Sequence, residues 1–317
     1  MRFGWIGAHR EGLLALRALL DRGVAMEAVI TLQPETAKKR SGSGDYRSLC
    51  ERYGVPLYEV ASINDREAIA LLRRLDLDLV FVIGWTQLLR PEVLQQARIG
   101  MIGAHASLLP VDRGRAPINW ALIRGATATG NTLFWLTEGV DAGAIIDQTA
   151  IPISPYDTCD SLYRRVAMTN RDMILRALPH LLAGEHPGRP QVHAPTPPLP
   201  GRRPEDGLVD WSQPSADIYN FVRALTRPYP GAFSFHGEER FTIWQCALFP
   251  AATHVEAAPG EIVGPVLSPN RRACGQVVAC GDGGAVVLLE IEDAAGNLIR
   301  GRALSELRWT GHRLQAA

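Results

Sequence analysis

Leu79-Val80-Phe81-Val82-Ile83 is the stretch on which the fold of this 317-residue chain turns. Five apolar residues in succession suit a strand covered on both faces, and such strands belong in the middle of a parallel sheet. Upstream, residues 2–6 read as a short apolar strand and Gly7-Ala8-His9-Arg10 as the turn after it. Leu13, Leu16 and Leu20 then share one helical face, which Gly23 ends. Residues 28–32 read as a second strand, 36–44 as a polar, mobile loop, and Asn64-Asp65-Arg66-Glu67 as a helix start with capping-box spacing. Downstream, the pattern predicts a strand over 100–104, a short helix over 117–124, and strands over 132–136 and 144–151. A long helix then starts at Asp157-Thr158, with Leu162, Val166, Met173, Ala177 and Leu181 along its apolar side. Repeated βα units predict an α/β fold, an open and mostly parallel sheet with helices on both faces.

Residues 187–204 are dense in proline, which suits an extended connector. An amphipathic helix over 216–225 follows, and then short strands at 233–235, 240–248, 275–280 and 286–292, divided by Gly and Pro. That composition predicts a smaller β-rich domain, barrel-like or sandwich-like. The expected division is a first domain over 1–186, a connector over 187–204 and a second domain over 205–317.

Lys plus Arg equals Asp plus Glu at 33 each, so the formal net charge is zero. A chain-wide basic field for nucleic acid is thereby excluded. Lys38-Lys39-Arg40 and Arg202-Arg203 are compatible with solvated loop charge or with local patches. The five cysteines are scattered and form no Cys-x-x-Cys pair, so no metal site is expected. Cys274 and Cys280 read as small buried hydrophobes. The longest apolar runs are strand-sized, so no membrane span is expected. No signal peptide is read ahead of the first strand, and the cytoplasm is the expected compartment.

The run Gly103-Ala104-His105-Ala106-Ser107-Leu108-Leu109-Pro110 places an imidazole where an apolar strand ends, with Arg113-Gly114-Arg115-Ala116-Pro117 behind it. Open α/β sheets carry their ligands at such ends. Asp141 lies in Thr137-Glu138-Gly139-Val140-Asp141-Ala142-Gly143, a glycine-flanked turn between two strands. A carboxylate beside an imidazole fixes its tautomer and stabilises its protonated form. Taken singly, however, the two residues favour a satisfied core histidine and a turn-forming aspartate. The Leu109-Pro110 bond is a candidate for a cis peptide.

Taken together, these runs resemble the 10-formyltetrahydrofolate-dependent formyltransferases, whose signature is Asn-x-His-x-Ser-Leu-Leu-Pro-x-x-Arg-Gly followed by a loop Asp-x-Gly-x-Asp-x-Gly. Arg113-Gly114-Arg115-Ala116-Pro117-Ile118-Asn119-Trp120, Asp141-Ala142-Gly143-Ala144-Ile145, Asp210-Trp211 and Pro228-Tyr229-Pro230-Gly231-Ala232-Phe233 are similar to the branch that formylates nucleotide-linked amino sugars, such as the aminoarabinose formyltransferases. The resemblance implies a Rossmann-like first domain and a formyl group moving from 10-formyltetrahydrofolate to the primary amine of a small molecule. The balanced charge and non-basic second domain speak against a nucleic-acid partner, and a Tyr/Trp-containing β domain suits the surface of a homodimer. A methionyl-tRNA formyltransferase and a folate-binding module without transferase activity are the alternatives. No Gly-x-Gly-x-x-Gly follows the first strand, so NAD is not expected.

By the same resemblance, His105 manages protons or steadies the oxyanion, and Asp141 holds it. The chain departs from the signature at Gly103, where an Asn is usual. A backbone N–H at Gly103 or Ala104, or the side chain of Asn131, is then expected to take over. The folate is expected against Ile83, Gly84, Trp85, Thr86, Gln87, Leu88 and Val140, with Trp85 either a pocket wall or only a packing residue. His9, Arg10, Ser107, Arg113 and Arg115 are the candidates for the acceptor, although Arg115 equally suits a structural ion pair.

Overall fold

A computed structural model of the chain describes residues 1–192, 196–250, 254–267 and 274–315. The chain forms two compact units, one from 1–117, 127–153 and 161–201, the other from 118–126, 154–160 and 202–317. Most of the segment expected as a connector therefore belongs to the first unit; residues 193–195 lie outside the described residues.

The first unit is built on β1 (Phe3–Ile6), β2 (Met26–Leu32), β3 (Leu57–Val60), β4 (Leu77–Val82), β5 (Ala97–His105), β6 (Ala128–Trp135) and β7 (Ile145–Pro152). Their order across the sheet is β3-β2-β1-β4-β5-β6-β7. The first five strands run parallel, whereas β6 joins β5, and β7 joins β6, in antiparallel register. This is the mostly parallel α/β sheet expected. The apolar run is the heart of β4, where Leu79, Val80 and Phe81 are wholly buried. Nothing polar alternates there because both faces are covered.

Helices α1 (Leu13–Leu20), α2 (Pro34–Ala37), α3 (Tyr46–Tyr53), α4 (Arg66–Leu75), α5 (Pro91–Leu94) and, from residue 161, α7 (Cys159–Leu182) accompany these strands, whereas α6 (Pro117–Ile123) belongs from residue 118 to the second unit. On one face Leu16 and Leu19 of α1, Cys50 of α3 and Met173, Ile174 and Ala177 of α7 pack with Trp5, Phe81, Ile102, Leu133 and Trp135. On the other, Ala68 and Leu72 of α4 and Val93 of α5 pack with Ile6, Val80, Val82 and Met101. The segment 36–44, expected as a mobile loop, is tied to the end of β1: Arg10 N–H donates to Gly42 O at 2.9 Å and Gly44 N–H to Ala8 O at 2.8 Å. Several elements escape the periodicity, β3 and α3 among them. β3 is half-buried throughout, and α3 is set by its ends, Asp45 accepting Ser48 N–H and Gly54 closing it in the left-handed conformation.

The second unit holds α8 (Ser215–Leu225), β8 (Ala232–His236), β9 (Glu239–Leu248), β10 (Ile262–Leu267), β11 (Cys274–Ala279), β12 (Ala285–Glu292), β13 (Leu298–Arg300), α9 (Arg302–Ser305) and β14 (Leu314–Gln315). The sheet order is β10-β11-β12-β9-β8-β14, with β13 on β12, and all pairs are antiparallel. Its two ends meet: Ile262 N–H donates to His312 O, Gly311 N–H to Ile262 O and Leu314 N–H to Gly260 O, each at 2.8 Å. The sheet thus curls onto itself, in keeping with a barrel-like expectation.

All five cysteines are buried, Cys274 and Cys280 among them, and burial pushes the Cys280 thiol up to about 12. Among the described residues no helix is long and apolar enough to cross a membrane, and no group of three or more His, Cys, Asp or Glu could hold a metal ion.

Phe81 lies between Phe3 and Trp5, with ring centroids 6.0 Å from each. Phe81→Ala should lower the stability of the first unit by about 3–5 kcal/mol. A urea titration followed by tryptophan fluorescence measures this, and a loss below about 1 kcal/mol would show that the site collapses around the missing ring.

Candidate active site

His105 is the last residue of β5 and is held from two sides, since β5 pairs with Val82 of β4 up to Gly103 and with Thr132 of β6 at His105 itself. Its side chain is 9% exposed. Nδ1 stands 3.6 Å from Asp141 Oδ2, an ion-pair distance too long for a hydrogen bond. Nε2 lies 2.7 Å from the carbonyl oxygen of Asp112. A carbonyl only accepts, so Nε2 carries the proton there and Nδ1 is left facing the carboxylate. The same Asp141 Oδ2 accepts the Gly114 N–H at 2.9 Å. β6 leaves the sheet beside Ile102, yet the turn after it folds back to bring Asp141 to the imidazole.

The loops around this pair are heavily hydrogen-bonded. Ser107 is buried and donates its hydroxyl to Val111 O at 2.7 Å; its own carbonyl accepts Thr132 Oγ1 at the same distance. Ser107 therefore braces its own turn through both its hydroxyl and its carbonyl. Thr132 Oγ1 also accepts Leu109 N–H, and Gln148 Nε2 donates to Leu109 O and Thr132 Oγ1. The Leu109–Pro110 peptide is cis, and Asp112, Ala116 and Asp141 have positive φ. Gln191 Nε2 donates to both Asp141 O and Gly143 O, at 2.8 and 2.7 Å, and so clamps the Asp141 turn.

Two positions bear on the departure at residue 103. Side chains alternate along a strand, so Gly103 and His105 share a face with their partners Phe134 and Thr132. A Cβ on Gly103 would lie 2.6 Å from Leu136 Cδ2, so Leu136 fills the space that a side chain here would take. Asn131 belongs to the opposite face. Wholly buried, it donates through Nδ2 to Asn170 Oδ1 at 2.6 Å and Thr169 Oγ1 at 2.9 Å, both on α7. The expectation that Asn131 supplies the missing donor is corrected: alternation turns it away from His105, and α7 already takes its amide.

The other expected contacts are spread along the same sheet edge. Ile83 and Gly84 are buried, and Gly84 O accepts the N–H groups of Ala8 and His9. Trp85 packs among the core around Ile6, Val82 and Met101, and its indole Nε1 has no partner. Of the two roles left open for it, packing is the one its contacts show. Gln87 binds Ile63 N–H and Ala61 O through its amide, so it braces the turn after β3. Thr86, Leu88 and Val140 are exposed. His9 caps the turn after β1, with Nδ1 accepting Glu11 N–H at 3.3 Å and its ring 5.1 Å from Tyr163. The buried Tyr46 hydroxyl, its pKa raised by that burial, donates to His9 O. β4 separates β1 from β5, so His9 and Arg10 stand two strands from His105. Arg113 reaches Thr196 O at 3.4 Å, and Arg115 is exposed. Asp112, Thr132, Gln148 and Gln191 escaped the sequence reading; they act through backbone carbonyls or as bracing side chains, and no motif marks such roles.

A family model described as formyl transferase matches residues 15–178, and one described as formyl transferase, C-terminal domain, matches 202–306. Among solved structures, HypX from Aquifex aeolicus in complex with tetrahydrofolic acid is 20% identical with a TM-score of 0.61 over 95% of this chain. This chain spans 45% of the length of that HypX chain. WlaRD, a sugar 3N-formyl transferase solved in the presence of dTDP and 5-N-formyl-THF, is 15% identical with a TM-score of 0.61, over 93% of this chain and 98% of its own. Glycinamide ribonucleotide transformylase 1 from Symbiobacterium toebii is 25% identical with a TM-score of 0.50, over 61% of this chain and 94% of its own. The first family model alone covers more than half of the residues, and the chain belongs to the formyl transferase family.

Proposed function

We propose that the chain moves a formyl group from 10-formyltetrahydrofolate to the primary amine of a small molecule, and that a nucleotide-linked amino sugar is the acceptor. The observation that carries this reading is the His105–Asp141 pair at the end of β5, with Nδ1 facing the carboxylate at 3.6 Å and Nε2–H capped by the Asp112 carbonyl. The neutral amine attacks the formyl carbon, whose oxygen takes up the charge. The bond to N10 of the folate then breaks, N10 gains one proton and the former amine loses one. His105 suits this exchange because Nε2–H can face the oxyanion while Asp141 fixes the ring. Catalysis lies in residues 1–186 on this reading, with the folate against the exposed Thr86, Leu88 and Val140. The HypX structure with tetrahydrofolic acid and the WlaRD structure with 5-N-formyl-THF and dTDP support the donor and the acceptor class.

A second reading, folate binding without transfer, is favoured by one observation: Leu136 fills the place of the side chain missing at Gly103. Transfer of a formyl group to any amine eliminates it.

His105→Ala and Asp141→Ala should each lower formyl transfer by about a hundred- to ten-thousandfold while the fold persists. Near wild-type turnover in both would remove the pair from the reaction. Gly103→Asn should bring no gain in turnover and lose about 1–3 kcal/mol, because the added side chain drives into Leu136. Gly103→Asn with Leu136→Ala should recover the stability, and kinetics with thermal melts separate the two effects. A large rate increase in the single variant would show that Leu136 yields freely. Reduced folate should bind in calorimetry and NAD should not, and Leu88→Asp should weaken the folate by at least about tenfold. An unchanged folate affinity would place the pterin elsewhere.

A further inference from the structure

Pro197-Pro198-Leu199-Pro200 contains a single backbone N–H, that of Leu199. It is donated to Arg113 O at 2.6 Å, and Leu199 O accepts the Arg115 N–H at 3.0 Å. The two segments run as one parallel bridge centred on Gly114 and Leu199. They are pressed backbone to backbone: Gly114 has φ +105°, and a Cβ there would lie 2.6 Å from both N and O of Leu199. The paired tripeptide is flanked by Asp112 at φ +56° and Ala116 at φ +52°. Left-handed backbone at residues with side chains persists only where the surroundings over-determine it. Leu199 is one of the groups that surround this loop, beside His105, Asp141 and Ser107.

Its hold is passed directly to the imidazole. From this loop Asp112 O caps His105 Nε2–H, and Gly114 N–H binds Asp141 Oδ2. The Asp141 turn has its own anchor in Gln191, which does not depend on Leu199. Gln191 thus holds the main chain of the Asp141 turn, whereas the Nε2 side of the ring is capped from the loop that Leu199 pairs with.

We propose that Leu199 is a positioning residue for His105, acting through the loop 112–115. While its peptide is paired with Arg113 and Arg115, the Asp112 carbonyl occupies the imidazole Nε2–H, and the ring is released to a reacting carbonyl only when that pairing opens. This rests on the reading of His105 as the group that serves the formyl carbon, but its test needs no substrate.

Diethyl pyrocarbonate acylates the unprotonated nitrogen of an accessible neutral imidazole. In His105 this is Nε2 once the Asp112 carbonyl lets go and the proton moves to Nδ1 beside Asp141, and the modified peptides of the full chain can be followed by mass spectrometry. Leu199→Pro removes the one N–H and suits an extended position that already precedes a proline. It should speed modification of His105 about three- to tenfold, the scale of one lost hydrogen bond. Leu199→Ala keeps both peptide groups and should match the wild type. The exposed His180 serves as the internal reference. Equal His105 rates in the two variants would overturn the proposal. If Leu199→Pro does not fold, hydrogen exchange on the wild-type chain decides. The amides of Gly114, Arg115 and Leu199 should then exchange through one common opening, and three unrelated rates would equally overturn it.

Discussion

β5 is held on one edge by a parallel neighbour and on the other by an antiparallel one, and the geometry of the candidate site is referred to that strand. A chain leaving a purely parallel sheet crosses over and returns at the far end. By adding β6 antiparallel instead, the fold brings the next strand back alongside His105, where Thr132 supports the Ser107 and Leu109 backbone. The turn into β7 then delivers Asp141. Two strand ends that would face solvent separately become one constellation.

That constellation is mostly peptide. The groups nearest the imidazole are a carbonyl of Asp112, an N–H of Gly114 and a carboxylate whose turn is gripped by Gln191. Hydrogen bonds of this kind contribute only about 1 kcal/mol net each, but leaving their buried partners unmet costs more. Their value here lies in orientation, since three side-chain-bearing residues with positive φ would not hold such turns unaided. The methyl carbons of Leu136 stand where a Cβ on Gly103 would lie, two residues before His105 on the same face of β5.

Legibility in the sequence follows how local each cause is. Strand β4 was plain because burial on both faces leaves an unbroken apolar run, and His105 and Asp141 were plain because their motifs are short. β3 was not, since Leu57-Tyr58-Glu59-Val60 is half-buried and carries a mixed pattern. Asn131 was misread because alternation assigns a face only once the register is known, and a one-residue difference separates it from Thr132, which does face the site. The bracing role of Ser107 was not legible because a hydroxyl in a motif looks the same whether it meets a ligand or its own turn. The proline-rich stretch was taken for a tether. Its composition does favour extension, but an extended segment can also lie along a loop and pair with it, as Leu199 does.

The second unit is not a contiguous half of the chain. Asn119 of α6 donates to Ala224 O at 2.7 Å, Arg223 reaches the carbonyls of Ser154 and Asp157, and Arg202 lies 5.0 Å over the Trp120 ring. Nine residues, 118–126, and seven more, 154–160, the last two opening α7, thus complete a body whose remainder follows from residue 202. During synthesis these two pieces emerge with the first unit and must wait, apolar side chains included, until residue 202 and beyond arrive. Evolution by swapping whole carboxyl-terminal halves is correspondingly constrained: a new half would have to fit two short segments that it does not itself encode.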